Sequence, residues 1–84
     1  MSVESDVQQF VEAFGERVKQ IRVEKGLAQI DLAAKAEMKL RQIQRIEAGH
    51  IATSIGKAFL IARALEVPLA ELVSSEPIDN RKDD

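Results

Sequence analysis

Few side chains in these 84 residues could do covalent chemistry. The chain has one histidine, His50, and no cysteine. Thiolate nucleophiles, disulfides and cysteine metal sites are therefore excluded. His50 follows Gly49 in a loop stretch, with no carboxylate cluster at helical spacing around it. There is no glycine-rich phosphate loop and no metal-ligand spacing. An enzyme is not expected, and neither is a metal, a cofactor or a small-molecule ligand. What the chain offers instead is hydrogen-bond donors gathered in one run, KLRQIQRIEAG, from Lys39 to Gly49. At about 100° per residue, Ile43 and Ile46 fall on one side of a helix. Leu40, Arg41, Gln44 and Arg45 point away from that side. A two-turn helix that buries isoleucine while showing water two guanidinium groups and an amide serves either contact with another molecule or solubility.

Holding such a helix requires a framework, and the flanking sequence supplies one made of helices. Ser5-Asp6-Val7-Gln8 reads as a capping box. Val7, Phe10, Val11, Phe14, Val18 and Ile21 then recur at three- and four-residue spacing, as one apolar stripe. Gly26 stops this helix, predicted over 5–25. Gly15 lies inside it at a cost of about 1 kcal/mol relative to alanine, which marks a place for a bend. A second helix is predicted over 29–36, started without a good cap at Ala28 but with Asp31 in its first turn. Glu37-Met38 forms the turn, and the third helix covers 39–47, ended by Gly49. Thr53 or Ser54 caps a fourth, which carries Ala58, Phe59, Ile61, Ala62 and Leu65. Pro68 fits the first turn of a short fifth helix, 68–74, with Leu69, Leu72 and Val73 apolar. No strand pattern and no internal repeat is present. The fold class is all-α, a compact five-helix bundle with a single aliphatic core.

The net charge of −2 hides an uneven distribution. Between Phe14 and Arg63 ten basic residues stand against five acidic ones, whereas the two ends hold nine acids and only Arg81 and Lys82. A basic middle between acidic ends suits a polyanion footprint better than the total suggests. No stretch approaches ~18 consecutive apolar residues, so no membrane partner is expected. The N-terminus lacks a basic-then-apolar signal pattern, and a cytoplasmic protein is expected.

FGERVKQIRVEKGL, QIDLAAKA, IQRIEAG and LIARALEVPLAEL, in that order and spacing, resemble the Cro/phage-repressor (XRE) family of helix-turn-helix domains. The resemblance runs from Phe14 to Val73, about sixty residues. It implies a helix-turn-helix domain over 14–74; outside the resemblance lie an extension over 1–13 that continues into the first helix and, from its polarity, an acidic flexible tail over 75–84. It also implies a regulator that binds double-stranded DNA, a homodimer reading an inverted repeat. Gln29 matches the position that grips a backbone phosphate and props the reading helix. Lys39, Leu40, Arg41, Gln44 and Arg45 match the positions that reach the major groove. Arg41 and Arg45 are the choices for guanine, since a guanidinium fork fits O6 and N7; Lys35 and Lys39 are the choices for phosphate. Arg22 and Glu47 match a salt bridge that ties the first helix to the end of the third. Val67, Leu69, Leu72 and Val73 either form the dimer contact or only close the monomer core. The chain departs from the family at Glu37, where glycine is usual, and at Ala28 and Lys39, where a serine or threonine cap is usual. Leu40 cannot hydrogen-bond a base and either touches a thymine methyl or folds back on the domain. The acidic ends, Glu37 and Leu40 would also suit a second reading, a protein-interaction module of the same fold, such as an antitoxin or the partner of another regulator.

Overall fold

The computed structural model describes residues 2–74; the acidic tail expected at 75–84 lies outside them. Five helices follow in order: α1 (Val3–Glu24), α2 (Gln29–Ala36), α3 (Leu40–Glu47), α4 (Ile55–Leu65) and α5 (Leu69–Val73). No strand occurs among the described residues.

α1 begins two residues before the predicted start. Ser2 is its N-cap, with Oγ accepting from the Ser5 N–H at 3.0 Å, so Ser5 is a helical residue and not the cap. Gly15 produces no break. α1 passes so close to the end of α3 that a Cβ at position 15 would collide with the Ile46 carbonyl oxygen and sit 3.1 Å from that of Glu47. The helix propensity lost at this glycine is what allows the two backbones to approach.

Four of the five helices end in the same way. Past each last turn, one residue turns left-handed and two amides fold back onto the free carbonyls. After α1, the Gly26 and Leu27 N–H groups donate to Val23 and Arg22 carbonyls at 3.0 and 3.1 Å. After α3, Gly49 and His50 donate to Ile46 and Arg45 at 3.0 and 2.9 Å. Glu37 and Met38 repeat this pattern after α2, as do Glu66 and Val67 after α4. Gly26 and Gly49 adopt φ of 74° and 76°, and Glu37 and Glu66 adopt 58° and 61°. A residue with a Cβ in that region pays roughly 1–2 kcal/mol, so the turn between α2 and α3 is held by its surroundings against local preference. At α4 the cap is Ser54, whose Oγ accepts from the Lys57 N–H at 3.1 Å. The Thr53 hydroxyl is buried with no hydrogen-bond partner among the described residues.

α1 packs on α3, α4 and α5, while α2 packs on α3 and α4. Val18, Leu32, Ile43, Ile46, Ile61, Leu65 and Leu72 are the largest fully buried side chains. Each contributes about 1.5–3 kcal/mol through removal from water. The predicted apolar stripe of α1 is buried only from Phe14 onward; Val7 and Phe10 are exposed, and so is Phe59 on α4. None of the described helices is long and apolar enough to cross a membrane.

Candidate nucleic-acid interface

α3 is presented by a hydrogen-bonded junction beneath its C-terminal end. Arg22 Nε donates to Glu47 Oε2 at 2.6 Å and Nη2 donates to Oε1 at 3.0 Å, a two-pronged pair in which both side chains are buried. The third prong, Nη1, donates to the Leu27 carbonyl at 2.7 Å. Gln29 Nε2 adds a bond to Glu47 Oε1 at 3.0 Å. Three segments thus meet on one carboxylate: the end of α1, the start of α2 and the end of α3. The hydrogen bonds that Arg22 donates to Glu47 hold its guanidinium above the usual pKa, so the group stays charged. A buried ion pair of this kind is weak evidence for stability, yet breaking one half of it is costly. Its geometric consequence is clear: the α3 axis cannot tilt without losing it.

The N-terminal ends of both motif helices lack a side-chain cap. The reciprocal half of each box remains. Asp31 Oδ2 accepts from the Ala28 N–H at 2.8 Å, and Gln42 Oε1 accepts from the Lys39 N–H at 3.3 Å. The role of Gln42 escaped the outward-facing pattern, although an amide at the third helical position is the signal for it.

On α3 itself Ile43 and Ile46 are buried, while Arg41, Gln44 and Arg45 are exposed along one side. Lys39 is exposed at the N-cap. Leu40 is half-buried and packs against the core, so much of its surface is turned to the domain. Gln29 is half-buried with one amide N–H given to Glu47; its second N–H has no partner among the described residues. Lys35 stands apart from this row. It borders a shallow depression with Lys25, Leu27 and the end of α4. Of the residues expected at the dimer contact, Leu72 is spent in the monomer core, and Val67, Leu69 and Val73 are half-buried against it. His50 is exposed at the exit of α3.

A short helix with an outward row of guanidinium and amide groups, packed on a second short helix, can present those groups to another molecule. The comparisons say what the fold resembles. The sequence profile of the helix-turn-helix family matches residues 18–72. Among solved structures, the chain is similar to the restriction-modification controller protein C.AhdI from Aeromonas hydrophila, with a TM-score of 0.73 and 29% identity over 74% of this chain and 94% of that one. The wild-type restriction-modification controller protein C.Esp1396I is also similar, with a TM-score of 0.68 and 34% identity over 70% of this chain and 77% of that one. A hypothetical transcription factor from Neisseria shares the fold at 22% identity and a TM-score of 0.74. No curated protein sequence matches. The chain therefore belongs to the helix-turn-helix family of the Cro/phage-repressor (XRE) type, and it is a DNA-binding transcriptional regulator.

Proposed function

We propose that this regulator is a homodimer that reads an inverted repeat by placing α3 in the major groove. The observation that carries the reading is the exposed row Arg41, Gln44 and Arg45 on a helix whose angle is set by the Arg22–Glu47–Gln29 junction. Arg41 and Arg45 take guanine edges, each good fork being worth about 1–3 kcal/mol of discrimination. Gln44 reads a neighbouring base. Lys39 and the second N–H of Gln29 take phosphates, and Lys35, off the row, reaches phosphate only at the edge of the footprint. Leu40 gives apolar contact at most. Two-fold symmetry of the protein sets two half-sites about one helical turn apart. The controller proteins to which the chain is similar favour one setting among phage repressor, controller and antitoxin, the control of a restriction–modification gene pair.

Selection from a random duplex library with the purified chain, at about 0.15 M salt, tests this. A two-fold-symmetric site is the expected result. An enriched half-site alone removes the dimer, and no enrichment with a folded protein moves the reading to the protein-interaction module. Binding and its salt dependence must both collapse in the Arg41→Ala, Arg45→Ala double variant.

A further inference from the structure

Two unpartnered rows adjoin on the side of the molecule away from the start of α3. The first is on the N-terminal part of α1, where Val3, Val7 and Phe10 are 76%, 54% and 41% exposed. On a helix these three lie within about 60° of one another. Glu4 and Asp6 flank them on either side, and the first sixteen residues contain no basic side chain. The second row is on α4, where Ile55, Phe59 and Arg63 follow at four-residue spacing. Ile55 and Phe59 are 73% and 52% exposed, and Arg63 is held over the Phe59 ring at 5.8 Å. No acidic residue occurs between Ala48 and Leu65. Among the described residues the single salt bridge joins Arg22 to Glu47, so Glu4, Asp6 and Arg63 have no opposite-charge partner there.

We infer that a second copy of this chain covers this face, with the acidic, apolar start of α1 of each protomer lying along the Ile55–Phe59–Arg63 row of the other. The inference rests on the dimer reading above and names its surface. The rows belong to one continuous face, because Phe10, Ile55 and Val73 line the same apolar cavity of about 240 Å³. Val73 is also among the half-buried residues at the α5 edge, so the face continues into the surface expected for dimer contact. A two-fold axis through the face places each start of α1 on the partner's α4 and buries both rows twice. The four-residue ridge Ile55–Phe59–Arg63 can pack into the groove beside the Val3–Val7–Phe10 row. The charges agree as well, since Glu4 or Asp6 would meet Arg63 at the end of the apolar contact. The contact also leaves the reading end of α3 free: Gln8 donates to the Gly49 carbonyl at 3.2 Å, which places this part of α1 at the C-terminal end of α3.

Sedimentation velocity of the full chain over a range of concentrations tests the inference. The expected result is a dimer whose dissociation constant rises at least about tenfold in Val7→Ser with Phe10→Ser and several-fold in Arg63→Glu. Adding Glu4→Lys and Asp6→Lys to Arg63→Glu should restore association, a rescue that damage to the fold cannot produce. Glu4, Asp6 and Arg63 are exposed, and circular dichroism of each variant checks that it is folded. A dimer unaffected by any of these changes overturns the inference and keeps the dimer reading, with the contact confined to Val67, Leu69 and Val73. A wild-type chain that stays monomeric overturns both.

Discussion

α1 is one continuous helix with two different environments. From Phe14 to Glu24 it buries Phe14, Gly15, Val18, Ile21 and Arg22 against the rest of the domain. From Val3 to Ala13 it buries no residue, and only Val11 is half-covered. The apolar periodicity is equally good in both halves. Periodicity therefore reports that a face can be buried, not that the same chain buries it. The outer half keeps its helical form through the Ser2 cap, the acids of the first turn and continuity with the inner half, since propagation from a formed helix is far easier than nucleation.

The sharpest test of the contrast is Arg22→Ala in the inner half. It leaves Glu47 buried without its charge partner, and we expect a loss of about 3–5 kcal/mol in urea unfolding. DNA binding should fall further than the unfolded fraction explains, because the angle of α3 is released. Next comes Gly15→Ala. In an ordinary helix interior this change gains close to 1 kcal/mol; here the Cβ meets the carbonyls of Ile46 and Glu47, and a loss of about 1–3 kcal/mol is expected in the same measurement. In the outer half, Ser2→Ala should cost about 1 kcal/mol of local helix. It should show as faster amide exchange in the first turn, with little change in the global midpoint. Smallest is Val7→Ala, which should shift stability by no more than about 0.5 kcal/mol at concentrations where the chain is monomeric. A larger loss for Val7→Ala that persists on dilution would mean that the outer half is packed within its own protomer, and the contrast would break.

Much of the site was legible because it depends on local order. The alternation of Ile43 and Ile46 with Arg41, Gln44 and Arg45 is a property of eight consecutive residues, and a helix of any context would separate them. Gly26 and Gly49 were readable as stops for the same reason. Glu66 was not readable as left-handed, because nothing in a glutamate asks for positive φ; at Glu37 only the family resemblance, with glycine usual there, pointed to such a turn. Packing of the flanking helices imposes it. Ser5 was a plausible cap on pattern alone, and Ser2 took the role because the helical backbone already starts at Val3. Gly15 carries the signal of a glycine within an apolar stripe, but a bend and a close approach give the same signal in sequence.

By itself the sequence determined five helices, an aliphatic core, a basic middle and the outward donors of α3, all of which follow from periodicity and charge along the chain. Contacts between distant segments were left to the tertiary structure. It turned the amide of Gln29 onto Glu47, withdrew Leu40 and Leu72 into the domain, set Lys35 apart from the reading row, and left Val3, Val7, Phe10, Ile55 and Phe59 uncovered. The physical reason is that burial is a property of a pair of surfaces, and a single stretch of sequence describes only one of them.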